Sequence, residues 1–120
     1  MILQTKSFQA KKSRTDGIRI CVMRRPALEF EFDLWLPHVA PSEELLQQYV
    51  IDKTMSWNEF QPKFLKELKK NKKYLELIIE LTQNHSVTLL CWENTADSCH
   101  RSLLARECKK INKNLEIKLT

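Results

Sequence analysis

The sequence predicts a small single-domain α/β sandwich, over residues 1–120, with a mainly parallel sheet flanked by helices. Short apolar runs typical of buried strands alternate with segments of helical periodicity. The chain closes with a strand, a helix and a further strand, the order of a parallel unit with a right-handed crossover. A chain of 120 residues, 42% of them hydrophobic, is large enough for one core.

Four segments have the patterns of strands. Residues 2–8 alternate loosely, and residues 18–23 form a second run that Pro26 closes soon after, because proline donates no ladder hydrogen bond. Residues 87–92 are almost continuously apolar, which predicts a buried central strand paired with the first or the last strand. Residues 115–119 alternate between apolar and charged side chains, so they are predicted to form the last strand.

Serines mark the starts of two predicted helices. Ser42 precedes two glutamates, which favour the positive end of a helix dipole, and Ser56 has Glu59 at the capping-box position. Asn71 is expected to separate the second helix from a third, and a last helix is predicted over residues 98–111. That last helix is expected to bury Leu103, Leu104, Cys108 and Ile111. One core is predicted to contain Leu34, Trp35, Phe60, Phe64, Leu68, Ile78 and Leu89.

The candidate site follows the predicted central strand, where Cys99, His100 and Arg101 stand at the head of the last helix. The first backbone N–H groups of a helix are unpaired and favour anions. A cysteine beside an arginine at such a place is expected to have a lowered pKa and to act as a nucleophile. His100 is a candidate catalytic partner, although neighbours on a helix diverge by about 100°. Arg101 and Glu93 are assigned to an anion or phosphate-bearing substrate site.

Two further arginines and one alternative complete this prediction. Arg24 and Arg25 follow the second strand, and they could close the anion site if that strand is a parallel neighbour of the central one. In the alternative, Arg101 pairs with Glu93 or Asp97 and Cys99 packs inward. The helix cap is expected at Thr95, Asp97 or Ser98.

Composition limits the other functions. A single glycine excludes glycine-rich nucleotide loops, and no cofactor is predicted. Zinc on Cys91, Cys99, His100 and Cys108 would have an unusual ligand spacing, so no metal is predicted either. A net charge of +5 and a pI near 9.1 permit a second class of function, a non-enzymatic module that binds nucleic acid or an acidic protein. Its basic residues would be Lys11, Lys12, Arg14, Arg24, Arg25 and the lysines near Lys70.

The cysteines and the apolar runs indicate the cellular compartment of the protein. Cys21 and Cys91 lie in apolar runs and are predicted to be small core residues. No CxxC pair and no secretion signal is found, and no apolar run is long enough to span a bilayer. A reducing cytoplasm without a membrane is therefore expected.

Several segments, in order over most of the chain, form a recognisable set. They are residues 16–22 with Arg24, residues 34–36 with 40–42 and Leu45, residues 57–60 through Tyr74, and residues 87–93 with Cys99, His100 and Arg101. In these segments the chain resembles the YeaO-like family of domains of unknown function. Family members carry an acidic residue before the matched arginine and a Trp-Pro-Arg-Gly segment after it, where this chain has Met23 and residues 25–28. The resemblance implies the fold and the position of the site, and it leaves the activity open.

Overall fold

In a computed structural model that describes residues 2–93 and 99–120, the chain forms five strands and four α-helices. The strands are β1 (Ile2–Ser7), β2 (Ile18–Cys21), β3 (Leu34–Trp35), β4 (Val87–Cys91) and β5 (Glu116–Lys118). The helices are α1 (Glu43–Leu46), which continues as a π-helical turn (Gln47–Ile51), α2 (Trp57–Lys70), α3 (Lys72–Leu81) and α4 (His100–Ile111). Short 3₁₀ turns lie at Arg14–Asp16 and Pro37–Val39.

All neighbouring strands of the sheet are parallel, in the order β3-β2-β4-β1-β5. The strand β4 lies at the centre, and every one of its residues is buried. The predictions of an α/β fold and of a central strand at this position are confirmed. The last two strands are parallel but not adjacent, because β1 lies between β4 and β5.

The helix starts follow from local hydrogen bonds that the sequence predicts. Ser56 Oγ accepts from the backbone N–H of Glu59, and Glu59 accepts from the backbone N–H of Ser56, which completes the capping box of α2. Asn71 separates α2 from α3, as predicted. Helix α4 begins at His100 with Cys99 as its N-cap, and the predicted caps Thr95, Asp97 and Ser98 lie outside the described residues.

The two faces of the sheet are covered differently. One face packs against α2, α3 and α4 through a cluster that includes Phe60, Phe64, Ile78 and Leu104. A second cluster is formed by Phe8, Cys21, Ala27 and Leu90, with Met23, Phe30 and Phe32 packed against it. Side chains alternate between the faces along β4, so Leu89 and Leu90 belong to different clusters.

Three residues were wrongly assigned to the core. Leu34 and Trp35 are 43% and 45% exposed, because β3 is a two-residue strand at the edge of the sheet. Ile111 is 40% exposed at the last residue of α4. The other predicted core residues, including Phe64 and Leu89, are buried.

A buried charged group fixes the connection between β1 and β2. Asp16 is an ion-pair partner of Lys6 at 2.9 Å and of Arg19 at 2.5 Å, and both Asp16 and Arg19 are buried. Burial alone would raise the pKa of Asp16, but hydrogen bonds from the Ser13 backbone, Lys6 and Arg19 hold that pKa below its usual value. Gly17 follows with φ +63°, and a Cβ there would lie 2.0 Å from the carbonyl oxygen of Ser86.

None of the helices within the described ranges is long and apolar enough to cross a bilayer.

Candidate active site at the carboxyl edge of the sheet

The ends of β2 and β4 bring the predicted site residues to one edge of the sheet. The two strands are parallel neighbours, with Cys21 opposite Leu90, and the backbone N–H of Val22 donates to the carbonyl of Leu90 at 3.0 Å. Arg24 and Arg25 were expected near the site only if their strand is a parallel neighbour of the central strand, and β2 and β4 are such neighbours. Ligand sites of parallel α/β sheets lie outside this carboxyl edge.

Two cysteine sulfurs form the centre of the site. Cys91 is the last residue of β4 and Cys99 is the N-cap of α4, and their Sγ atoms are 2.6 Å apart. Both residues are buried, with 0% and 1% of their surface exposed. Cys99 thus packs inward, as the alternative reading of the sequence expected, and both cysteines still line the floor of a cavity.

Arg101 is fully buried behind the two sulfurs. Its Nη1 donates to Cys91 Sγ at 2.9 Å and to Cys99 Sγ at 3.4 Å. The same atom donates to the carbonyl of Glu93 at 2.8 Å, and Nη2 donates to the carbonyl of Thr120 at 2.9 Å. Among residues 2–93 and 99–120, no side-chain carboxylate forms an ion pair with Arg101. Asp97, its other expected partner, lies outside the described residues.

The position of Arg101 separates it from the cavity. The residues that line the cavity include Cys99, His100, Glu93, Arg24 and Arg25, and the guanidinium of Arg101 is not among them. Its hydrogen bonds all run to sulfur atoms and backbone carbonyls of the protein. Arg101 is thus placed to act on the cysteines.

His100 connects the start of α4 to the end of β2. Its Nε2 lies 2.6 Å from the carbonyl oxygen of Val22, and a carbonyl can only accept, so Nε2 carries a hydrogen. Nδ1 is then the atom that faces Cys99, 4.0 Å from its Sγ. A cysteine beside an imidazole that a third group orients is the arrangement of an activated thiol.

Glu93 places a carboxylate against both sulfurs. Its Oε2 is 3.2 Å from Cys91 Sγ and 3.4 Å from Cys99 Sγ, so it can accept from a thiol of either residue. Burial alone would raise the pKa of Glu93, but the hydrogen bond from Cys91 keeps it below the usual value. The carboxylate thus holds the proton of Cys91 in place.

The two thiols have opposite acidities. Burial raises the pKa of Cys91, and the neighbouring Cys99 adds to this effect. The hydrogen bond from Cys91 lowers the pKa of Cys99, and the hydrogen bond and positive charge of His100 lower it further. Together they outweigh burial, which alone would raise this pKa, and bring it to about 5. Burial would lower the pKa of His100, but the hydrogen bond and charge of Cys99 raise it. These directions favour a thiolate on Cys99 and an imidazolium on His100.

The cluster is electrically neutral with this assignment. With Cys99 as thiolate and His100 protonated, two negative groups, Cys99 and Glu93, face two positive ones, His100 and Arg101, and moving the proton back to Cys99 leaves the net charge the same. A buried cation is stable only when opposite charge or hydrogen bonds compensate it. Burial would lower the pKa of Arg101, and the sulfurs of Cys91 and Cys99 raise it.

The cavity itself has a volume of about 300 Å³, within the range of small-molecule sites. Its wall is mostly apolar, with side chains such as Leu46, Val50 and Phe60. Arg24 donates from Nε to the carbonyl of Pro41 at 3.0 Å and from Nη2 to the carbonyl of Ala40 at 3.3 Å. The exposed Arg25 lies 3.5 Å from Glu43.

The cluster also has the spacing of a metal site. Sγ of Cys91, Sγ of Cys99 and a ring nitrogen of His100 all lie within 4.8 Å of one another. The positive guanidinium of Arg101 lies 2.9 Å from Cys91 Sγ and would repel a divalent cation bound at this position. Cys108, the fourth residue considered for zinc, is not in the group, and burial raises its pKa to about 12.

Cys91 belongs to this cluster, although the sequence analysis did not count it among the catalytic or anion-binding residues. It was predicted to be a small core residue because it lies in an apolar run, and its burial confirms that prediction. Its position at the end of the central strand, eight residues before Cys99, was the available signal. Only the packing of α4 against β4 shows that the two sulfurs meet.

An all-parallel α/β domain with a cysteine–histidine cluster at the carboxyl edge of its sheet is thus defined by the structure. The family model described as the active DUF488-N3 subclade (DUF488-N3a) matches residues 3–111, and the chain belongs to this family of domains of unknown function. Comparisons with curated proteins and with solved structures gave no match.

Proposed function

We propose that this chain is an enzyme that binds a small molecule with an anionic group in the cavity, and that Cys99 is its nucleophile. The observation that carries the proposal is the placement of a buried guanidinium, an oriented imidazole and a second thiol around Cys99 Sγ. All three stabilise negative charge on that sulfur. The resemblance to YeaO-like domains supports the position of the site.

Each residue then has a defined role in this reaction. The thiolate of Cys99 forms a bond to an electrophilic atom of the substrate, and the leaving group departs with the bonding electron pair. His100 lines the cavity and supplies the proton to that leaving group from Nδ1. Arg101 is a positioning residue that stabilises the thiolate from behind. Water or a second substrate then displaces the product from the sulfur.

Recognition of the anion is assigned to Arg24 and Arg25. Both line the cavity with Cys99, and carbonyls of Pro41 and Ala40 orient the guanidinium of Arg24. Within residues 2–93 and 99–120, the ion-pair partner of Arg25 is the exposed carboxylate of Glu43, and such surface pairs contribute little. The apolar wall favours a substrate whose remaining part is uncharged. In this proposal the arginines that line the cavity bind the anion, and Arg101, which was also predicted to bind it, is buried outside the cavity lining and acts on the cysteines.

A cytoplasmic location is part of the proposal, because all four cysteines are free and the mechanism needs a reduced thiol. The alternative, a module that binds nucleic acid through its basic residues, has less support. Lys12 pairs with Glu31, Arg24 with backbone carbonyls and Arg25 with Glu43, so several of those cations already have partners. Binding to DNA or RNA that weakens steeply with salt would favour the alternative.

A pair of alkylating reagents that differ in charge tests the proposal. Iodoacetate carries a carboxylate and iodoacetamide does not, so the ratio of their rates at Cys99 measures anion recognition. Relative to the same ratio for a free thiol, iodoacetate is expected to be favoured at Cys99, and Arg25→Gln should lower that preference. Lys66→Gln, which removes an exposed charge on α2, is the matched control. A ratio equal to that of the free thiol, unchanged in Arg25→Gln, would contradict the assignment.

A further inference from the structure

Cys91 has no bond-forming role in the proposed reaction, yet it occupies the centre of the cluster. Its Sγ is 2.6 Å from Cys99 Sγ, closer than the contact distance of two unbonded sulfurs, and no atom lies between them. The guanidinium of Arg101 touches both sulfurs, at 2.9 and 3.4 Å. A thiol in this position is directly adjacent to the sulfur of Cys99.

We infer that Cys91 and Cys99 form a reversible oxidation site, in which a small hydroperoxide oxidises Cys99 and Cys91 resolves it as a disulfide. The inference rests on the Cys99 thiolate of the proposed function and adds a second reaction of the same sulfur. The disulfide would switch off the nucleophile until a dithiol reduces it. Transient disulfides of this kind are the ones that occur in reducing compartments.

The chemistry balances with the groups present. The Cys99 thiolate attacks the terminal oxygen of the hydroperoxide, so that an S–O bond forms and the O–O bond breaks. The released alkoxide or hydroxide takes a proton from His100, whose Nδ1 lies 4.0 Å from Cys99 Sγ. The thiol of Cys91 then passes its proton to Glu93 Oε2, 3.2 Å from its Sγ, and attacks the sulfenic sulfur of Cys99. An S–S bond forms, the S–O bond breaks, and the departing hydroxide takes that proton and leaves as water. A dithiol returns both cysteines to thiols by exchange.

The burial of the two sulfurs selects the oxidant. Cys91 and Cys99 expose at most 1% of their surface, and both line the cavity of about 300 Å³. A hydroperoxide with a small or absent organic group fits that cavity, whereas attack on a bulky disulfide would have to bring a large sulfur compound to the cavity floor. Arg101 keeps positive charge beside both sulfurs through each step, which favours thiolate attack in both.

The test oxidises the reduced protein with equimolar hydrogen peroxide, blocks remaining thiols and measures the mass. The wild-type protein is expected to lose two hydrogen atoms and to regain them with dithiothreitol. Trypsin cleaves after Arg101 and a glutamate-specific protease cleaves after Glu93, so a disulfide would link two separate peptides. Cys91→Ser and Cys91→Ala should instead accumulate a sulfenic acid at Cys99 that dimedone traps. Cys108→Ser, at another buried cysteine, should behave as wild type.

The outcomes separate this inference from the proposed function. A sulfenic acid that persists on Cys99 in the wild-type protein, or a disulfide that involves Cys21 or Cys108, would overturn the inference. Fast alkylation of Cys99 without disulfide formation would also overturn the inference, but it would leave the proposed role of Cys99 as a nucleophile intact. Disulfide formation together with slow alkylation at neutral pH would support the inference and remove the proposed function. Stoichiometric zinc in the purified protein would overturn it, because a metal would hold both sulfurs. The experiment on the wild-type protein tests the inference even if the cysteine variants do not fold.

Discussion

The Nε2 atom of His100 lies 2.6 Å from the carbonyl oxygen of Val22, so the first residue of α4 is held by the end of β2. This contact fixes which ring nitrogen faces Cys99 and brings the neighbouring Arg24 and Arg25 to the same edge. In the proposed mechanism the thiolate of Cys99 depends on this contact between two residues that are 78 positions apart in the chain.

Replacing Arg101 should affect both stability and thiol reactivity. Arg101→Met leaves Cys91 and the carbonyls of Glu93 and Thr120 without their donor, and we expect a loss of about 3–5 kcal/mol in the free energy of unfolding. The pKa of Cys99 should rise in the same variant, because a cation near the sulfur is lost. Urea denaturation measures the first effect. Arg106→Met, at an exposed position of the same helix, should cost less than about 0.5 kcal/mol, and equal costs would refute the buried role.

Truncation of Phe64 tests the core beneath the site. Its ring is fully buried, stacks on Phe60 at 5.4 Å and meets the ring of His100 edge-on at 5.7 Å. Phe64→Ala should lower the free energy of unfolding by about 3–5 kcal/mol. Leu34→Ala, at the exposed edge strand, should cost less than about 1 kcal/mol in the same denaturation experiment. If Leu34→Ala lowers the free energy of unfolding more than Phe64→Ala does, then Leu34 is not at an exposed edge or Phe64 is not in the core.

The buried Asp16 predicts a specific dependence of stability on pH. Its pKa in the folded state is below the unfolded value of about 3.9, so its contribution is present above that value and is lost as pH falls through the folded pKa. Asp16→Asn leaves the buried Arg19 without its partner and should cost about 3–5 kcal/mol at pH 7.

Because the wild-type protein loses the same pairing in acid, the difference between the two proteins should shrink below about pH 4. Denaturation of both proteins at pH 7 and pH 3 measures this. Asp52→Asn, at an exposed carboxylate, provides the control. A difference that grows in acid would show that the sign of the pKa shift is wrong.

Gly17 should not tolerate a side chain. An alanine there would place its Cβ 2.0 Å from the carbonyl oxygen of Ser86, which already accepts from the N–H of Ile18 at 2.9 Å. Gly17→Ala is expected to be strongly destabilising or insoluble, measured by thermal unfolding against Ala10→Gly in the preceding exposed turn. A melting temperature within a degree or so of wild type would contradict the positive φ and the close approach.

The central strand and the capped helices could be predicted because their signals are local. A continuous apolar run is typical of a strand buried on both faces, and Ser56 with Glu59 marks a helix start by direct hydrogen bonds. The burial of Leu34 and Trp35 could not be predicted, since the pattern of an aromatic run does not say that its strand lies at the edge. Trp35 instead donates from its ring to the carbonyl of Met23 at 2.8 Å.

The position of the candidate site could be predicted from the sequence, but the arrangement of its side chains could not. A strand, a loop and a helix start predicted where Cys99, His100 and Arg101 would lie, because that order recurs in parallel α/β folds. The direction of each side chain depends on how α4 packs against β4. That packing turns Arg101 inward and places Cys91 against Cys99, neither of which is encoded in spacing alone.

The most direct measurement of the central proposal is the pH dependence of Cys99 alkylation by iodoacetamide, followed by peptide mass spectrometry. The rate rises as the thiol deprotonates, and with a pKa of about 5 it should reach half of its maximum near that pH and be constant at neutral pH. In His100→Ala the midpoint should move upward, while His85→Ala, at an exposed histidine, should leave it unchanged. A midpoint at or above about 8.5 in the wild-type protein, unaffected by His100→Ala, would contradict a Cys99 nucleophile.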